Sequence, residues 1–512
     1  MITRPLFSLV LSLALVGFTS VAKEAARNTS IASHPDRLSF PPLDYQPPDP
    51  AAYRVELKSG PVAYVVPDRE LPLVNISILV RTGDYLEPAG KEGVAGLTGN
   101  LLTRGGTKSM TAEELEEKLA FLAANLGSGV SDTQGSVSLN LLSKDLDEGF
   151  EILREVLTQP RFQDDKLALL KQQSLQSMQQ RNDDSAAIEG REARYLAYGE
   201  TFWANRAPTA KSVESITHAD LQAFHQRWFA PANFVIAVNG DFEREEMIAR
   251  LENLFAHWPF KGETPPAIPT ETHIVKPGVY LVNKDVNQGR VSIMLPGVMR
   301  DDPDYFAAAI MNDILGGGGF TSRLVNRIRS DEGLAYRAGS SLQGGVYYAP
   351  PFTALFQTMS RKVPYATSIV FEEMKRIAAE PVTDTEIAST INGLIDRFPR
   401  VFATKGQIAG TFAHDEFTGR YAKYPDFWKD YRDKIRAVTK SDVQRVAKRL
   451  LTPDQAVILV VGQRDEILLG HPDHNDQLSD FGGGNLIEWP LRDPLTLRPM
   501  SEPKPLKKMS VK

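Results

Sequence analysis

The sequence predicts an α+β protein: two homologous α/β-sandwich domains produced by an internal duplication. Three observations carry this prediction. Short alternating or wholly apolar runs are interleaved with runs of helical apolar spacing. One stretch recurs ungapped at an offset of 222, from Gly240 to Gly462. A Pro-rich segment, Gly262-Glu-Thr-Pro-Pro-Ala-Ile-Pro269, separates the copies. Two similar domains joined by a linker tend to enclose a cleft, a clamshell, and such clefts are favoured ligand sites.

The repeated stretch is Ile216–Gly240 over Val438–Gly462. Identical pairs include Thr217/Thr439, Asp220/Asp442, Pro231/Pro453 and Gly240/Gly462. Each copy reads as a Thr N-cap, an amphipathic helix, a Pro stop, a buried strand and a Gly. Earlier elements echo as well: Val74–Val80 with Arg290–Leu295, and Asn100–Gly106 with Asp313–Gly319. Two strands flank a Ser-Gly turn between Tyr53 and Val66, and a third spans Leu73–Arg81. Helical spacing covers Val94–Leu102 and Thr111–Leu126, the latter opened by the capping box Thr111-Ala-Glu-Glu114. A strand over Gly135–Ser143, helices over Leu146–Leu157, Asp164–Gln180 and Ala219–Trp228, and a strand over Phe234–Gly240 complete the first copy. The expected domains are 51–265 and 275–470, joined by 266–274 and followed by a C-terminal extension, 471–512. That extension could wrap another subunit or hang free.

The N-terminus has a basic start, an apolar run from Pro5 to Phe18, and small residues at Ser20 and Ala22 before Lys23. This is the pattern of a signal peptide, 1–22, preceding a Pro-rich arm, 23–50, and it implies export, with the periplasm the expected compartment. No later apolar stretch approaches the ~20 residues needed to span a bilayer, so no membrane span is expected in the mature chain. Among the 512 residues, 58 Lys+Arg oppose 64 Asp+Glu, with no basic stripe, so nucleic acid is not an expected partner. With no cysteine, thiolate nucleophiles, disulfides and Cys-bound zinc are excluded. Gly316–Gly319 lacks the Lys-Ser/Thr of a phosphate loop and reads as a helix end and tight turn. His471-Pro-Asp-His474 reads as a solvated loop.

Further motifs carry a resemblance: Gly83-Asp-Tyr-Leu-Glu-Pro88, Leu102-Thr-Arg-Gly-Gly-Thr107, Leu142-Ser-Lys-Asp-Leu-Asp-Glu-Gly149, Trp228-Phe-Ala-Pro-Ala-Asn233 and Arg329-Ser-Asp-Glu-Gly-Leu-Ala-Tyr336. Over about 51–470 the chain resembles the pitrilysin/insulinase family of zinc metallopeptidases in its two-domain, processing-peptidase-like form. That family carries His-x-x-Glu-His on a helix of the first domain, with two zinc ligands and a general base. Here the ligand positions fall on Gly96 and Asn100 and the base position on Gly99; the region of the third ligand, Gln172–Gln179, has no carboxylate. The resemblance therefore implies no metal in this chain, and zinc in a partner subunit.

What the resemblance retains is the Arg329/Tyr336 pair, which in the family contacts substrate. A guanidinium can hold a peptide carbonyl, and a phenol can stabilise the oxyanion at a partner's zinc. Outside the family context the same two residues would read as a surface Arg and a core Tyr. The family also places substrate handling at a glycine-rich segment, here Gly316, Gly317, Gly318 and Gly319 with Phe320, and adds substrate as an extra strand beside Gly127–Thr133. The expected function is a non-catalytic subunit of a heterodimeric exported zinc metallopeptidase that binds peptide. The alternatives are a peptide-binding or chaperone-like homodimer and, third, an assembly protein.

Overall fold

The computed structural model describes residues 45–506 together with His34, Arg37 and Leu38. The signal peptide expected at 1–22 and the last residues, 507–512, lie outside the described residues. Two units are distinguished, Met1–Asp44 and Tyr45–Lys512. In the first, the described feature is a turn in which the Arg37 N–H donates to the His34 carbonyl over 3.0 Å.

In the second unit, the first half comprises β1 (Arg54–Glu56), β2 (Val62–Pro67), β3 (Leu73–Val80), α1 (Val94–Arg104), α2 (Ala112–Phe121), β4 (Asn125–Val130) and β5 (Gly135–Leu142). It continues through α3 (Leu146–Thr158), α4 (Asp164–Gln179), α5 (Ser185–Tyr198), α6 (Ala210–Ser215), α7 (His218–Trp228), β6 (Phe234–Gly240) and α8 (Arg244–Phe255). The second half has β7 (Gly278–Asn283), β8 (Gln288–Leu295), β9 (Val298–Met299), α9 (Tyr305–Asn312), α10 (Arg323–Val325), β10 (Arg337–Ser341), β11 (Gly344–Gly345) and β12 (Phe352–Met359). Then come α11 (Val363–Ala379), α12 (Asp384–Arg397), α13 (Lys405–Phe417), α14 (Arg420–Lys423), α15 (Phe427–Arg436), α16 (Lys440–Leu450), β13 (Val457–Gly462), α17 (Arg464–Leu469), β14 (Leu486–Glu488) and β15 (Lys504–Pro505).

The two large sheets repeat one topology. The first runs β1-β2-β6-β3-β5-β4 and the second β10-β12-β8-β13-β7-β14-β15, so β2, β6, β3, β5 and β4 correspond to β7, β13, β8, β12 and β10. The strands of the repeat, β6 and β13, each pair in parallel with one neighbour and antiparallel with the other. Register keeps the offset of 222: Val238 lies opposite Ile76, and Val460 opposite Val291. Both repeated helices, α7 and α16, open with a capping box, Thr217 with Asp220 and Thr439 with Asp442. The repeated glycine has a packing reason. A Cβ on Gly240 would lie 2.1 Å from the Leu73 carbonyl oxygen, and one on Gly462 would lie 2.9 Å from Gly289 Cα.

Each sheet has one face on its own helices. Ile76, Ile78, Leu139, Ile236 and Val238 pack with Leu101, Leu153 and Leu221 in the first half. Val291, Ile293, Phe356 and Val460 pack with Ile310, Met374 and Val446 in the second. The opposite faces are covered reciprocally. Helix α5 of the first half lies on the second sheet, with Ile188, Leu196 and Ala197 against Tyr280, Met294 and Leu459. Helix α13 of the second half lies on the first sheet, with Ile408, Phe412 and Ala413 against Tyr64, Val66 and Val235. Polar contacts fix both crossings: Ser292 Oγ donates to Glu189 Oε1 over 2.7 Å, and the Tyr64 hydroxyl donates to Glu416 Oε2 over 3.0 Å.

Two expectations are corrected here. The helix expected to run to Leu126 stops at Phe121; Ala123 turns with φ +48° and the Ala124 N–H closes on the Leu119 carbonyl, which releases Asn125–Val130 into strand β4. Over its described residues, 471–506, the C-terminal extension does not hang free. Strand β14 adds in parallel to β7, Trp489 and Arg492 reach Glu192 of α5 over 2.9 and 3.1 Å, and the Arg492 guanidinium lies 3.9 Å from the Tyr195 ring centre. The tail clamps the crossed helix.

Because each sheet depends on the other half's helix, unfolding is expected to be one cooperative transition. Phe412→Ala, at a site 1% exposed, is expected to cost about 3–5 kcal/mol. Urea denaturation followed by tryptophan fluorescence and far-ultraviolet circular dichroism checks both, and non-coincident transitions would contradict the interlock.

Candidate functional site

Helix α1 carries the degenerate positions. Gly93 precedes it at φ +105°, a backbone state glycine adopts without strain. Glu87, 7% exposed, accepts hydrogen bonds from the Gly93 and Ala95 N–H groups through Oε1, both at 2.9 Å. This satisfies the helix end. Burial, reinforced by Asp84, outweighs these bonds and pushes the Glu87 carboxyl up to about 8. Burial, then Asp132, pushes Asp84 up to about 6. Sequence reading placed Glu87 in a family motif without assigning it this role; a carboxylate just upstream of an uncapped helix start was the available signal.

Gly96 and Asn100 line a cavity of about 440 Å³ whose other wall includes Gln173, Ser174 and Ser177 of α4. The two segments that sequence reading paired therefore do face each other. Their polar groups are amides and hydroxyls, and among the described residues no group of three or more His, Cys, Asp or Glu could hold a metal ion. This donor set does not fit zinc, which takes imidazole, thiolate or carboxylate. Gly99 faces elsewhere: a Cβ there would lie 2.5 Å from Val130 N of β4. Ser128 Oγ of β4 donates to the Gly99 carbonyl over 2.5 Å. The base position is thus closed by direct contact between helix and edge strand. His474 stacks instead on Tyr365, its ring centre 3.5 Å away, and His471 lies tilted 5.8 Å from the same ring.

Arg329 and Tyr336 lie together. Arg329 lies in the last turn of a short π-helical stretch, Asn326–Asp331, and Gly333 at φ +59° turns the chain toward β10. Ile328 and Leu334 are buried beneath, the Leu334 N–H closes on the Ile328 carbonyl over 2.8 Å, and Thr358 Oγ1 donates to the Leu334 carbonyl over 2.6 Å. In front, the Arg329 guanidinium lies over two rings, 4.7 Å from the centre of Phe320 and 4.6 Å from that of Tyr336. Phe320 is 71% and Tyr336 84% exposed. Tyr336 is therefore no core residue: the buried anchors beneath it are its neighbours in the chain.

Two family models match, "Insulinase (Peptidase family M16)" over residues 65–195 and "Peptidase M16 inactive domain" over residues 215–394. The chain belongs to peptidase family M16. It is 26% identical to a non-peptidase homolog of Helicobacter pylori over 64% of this chain and 79% of that protein. It is 25% identical to an uncharacterized zinc protease of Mycobacterium bovis over 79% of this chain and 93% of that one. A Pseudomonas fluorescens structure described as a peptidase M16 inactive domain superposes with TM-score 0.71 at 25% identity, covering 80% of this chain and 97% of that one. The periplasmic protease PqqL of Escherichia coli, at 16% identity and TM-score 0.66, shares the fold. The chain is a non-catalytic member of M16.

In this M16 chain the glycine run is shaped mainly by packing. A Cβ on Gly316 would lie 2.4 Å from Ser340 N of β10, so the second half repeats the close helix-to-edge-strand contact of Gly99 with β4. The Gly318 N–H caps the turn by donating to the Asp313 carbonyl over 2.8 Å. Gly319, at φ +65°, leads into Phe320. Of the run, Gly317 and Gly319 are exposed beside the stack, while Gly316 is buried.

Gly96 and Gly99 should respond oppositely to alanine. Nothing lies within 4 Å of a Cβ on Gly96, so Gly96→Ala should stabilise by about 0.5–1 kcal/mol through helix propensity. Gly99→Ala should destabilise by about 1–3 kcal/mol through overpacking. Thermal melts of both check this. For Glu87, a folded-state pKa raised from 4.5 to about 8 means stability fully present below 4.5 and lost as pH rises through 8. Glu87→Gln keeps the accepting oxygen and should flatten that loss between pH 4.5 and about 8 in urea titrations.

Proposed function

We propose that this chain is the non-catalytic subunit of an exported heterodimeric zinc metallopeptidase. In this reading it closes the chamber and presents Arg329 and Tyr336 to peptide bound at a homologous partner's zinc. The observation that carries it is the contrast between the two halves. Helix α1 lacks every zinc donor, yet the Arg329 segment is pinned from behind and turned outward in front. Arg329 would hold a substrate carbonyl by charge-assisted hydrogen bonds, and the Tyr336 hydroxyl would support the oxyanion that develops at the partner's metal. Phe320 would hold the guanidinium level against Tyr336. Gly317 and Gly319, which bring no side chains, would leave room for the peptide to pass.

Co-purification with a His-x-x-Glu-His-bearing relative and peptide-turnover assays test the proposal. Arg329→Ala is expected to reduce turnover by about a hundredfold, the scale of one lost transition-state donor. Tyr336→Phe is expected to lower kcat with little change in KM. Unchanged turnover in both variants would sink it. A second reading, a peptide-binding homodimer without peptidase activity, draws support from β4, an edge strand that is half-exposed along most of its length. A stable homodimer on gel filtration that ignores the zinc-bearing relative would favour it.

A further inference from the structure

The outward face of the first sheet changes character partway across. Over β2 and β6 it is apolar and lies under α13. From the end of β6 outward the register aligns four asparagines in one rung across four strands: Asn239 on β6, Asn75 on β3, Asn140 on β5 and Asn125 on β4. The next rung in the same direction is Ala237, Ser77, Ser138 and Gly127. Asn140 Nδ2 donates to Asn75 Oδ1 over 2.5 Å. No described hydrogen bond engages the side chains of Asn125 or Asn239.

These rungs floor a hollow of about 560 Å³ walled by Gly406 and Gly410 of α13, and no charged residue lines it. Gly406 sits against the rung, since a Cβ there would lie 3.3 Å from Asn239 Oδ1. Gly410 is different: a Cβ there would meet nothing within 4 Å. Packing does not require glycine at 410, where it costs the helix about 1 kcal/mol relative to alanine. Its effect is to keep the hollow open.

We infer that this hollow is a binding subsite for uncharged polar side chains, amide or hydroxyl, of an extended polypeptide. The inference rests on the reading that this chain handles peptide, and it adds what the peptide must carry. Each asparagine amide offers donors and an acceptor together, so the rung can match amides and hydroxyls of either polarity but cannot compensate a formal charge. A peptide suits the place better than a glycan. The hollow borders β4, whose outer edge has no strand partner among the described residues, and neither rung holds an aromatic ring on which a sugar could stack.

The test is fluorescence anisotropy with a labelled peptide of alternating Ser and Gln, about twelve residues long, enough to lie along a strand edge. The same peptide with Lys in place of Gln, and a chitin tetrasaccharide as competitor, complete the set. The wild-type chain is expected to prefer the Ser/Gln peptide. Gly410→Leu, which fills the hollow from an unobstructed position, is expected to weaken binding by about tenfold while the melting temperature holds or rises. Asn140→Asp is expected to shift preference toward the Lys peptide, a change in selectivity that lost stability alone would not produce. The inference is overturned if both variants bind as wild type does, if the wild-type chain does not bind the Ser/Gln peptide, or if the tetrasaccharide displaces it. Arg329→Ala in the same assay separates the two proposals. Weakening by that substitution alone would place the peptide at the ring stack and remove the hollow. Weakening by the hollow variants, with complex turnover indifferent to Arg329→Ala, would keep the hollow and remove the subunit reading.

Discussion

Neither sheet of this protein can bury both its faces with its own half of the chain. Helix α5 leaves the first half to cover Tyr280, Met294 and Leu459, and α13 leaves the second to cover Tyr64, Val66 and Val235. The exchange turns a duplicated sequence into one compact unit from Tyr45 onward. It also explains why the tail is ordered where it is. Arg492, nearly fully buried, pairs with the Glu192 carboxylate of α5, which also accepts from the Trp489 indole and from Arg191, and Arg492 reaches Glu200 as well. A buried charge pair of this kind is costly to break from either side, so the tail and the crossed helix stand or fall together.

The same interlock shapes the hollow and the closed face of α1. Where α13 ends its cover of the first sheet, the face passes from apolar to amide and hydroxyl, and the glycines of α13 form the wall of the resulting hollow. On the α1 side of that sheet, Gly99 brings helix and edge strand into contact, which leaves no volume for a general base. The second half repeats that contact at Gly316 and β10 but adds an outward stack, Arg329 over Phe320 and Tyr336. One architecture, used twice, thus yields a closed site in one copy and a presented cation in the other.

Much of this is legible in the sequence. Thr217 and Thr439 sit at the same step of a repeated cap, helix, Pro and strand, and the structure returns both capping boxes and the same strand register. The lost donors were equally plain, because Gly96, Gly99, Asn100 and Gln172–Gln179 are side-chain identities and no fold can supply groups that are not encoded. The end of α2 was less legible. Apolar spacing runs on through Leu122 and Leu126, and only the turn at Ala123 and the demand of β5 for a partner separate helix from strand.

What the sequence by itself determined, then, is the local grammar and the chemistry: the duplicated elements, their caps, and the absence of zinc ligands on α1. These follow from nearest-neighbour spacing and residue type, which folding does not alter. Tertiary structure alone decided which sheet each crossed helix covers, where the tail docks, that Tyr336 faces outward, and that four asparagines distant in sequence share one rung. Periodicity says which face of an element is apolar, but not against which partner that face lies. Strand register, set by the packing of the whole sheet, decides which side chains become neighbours.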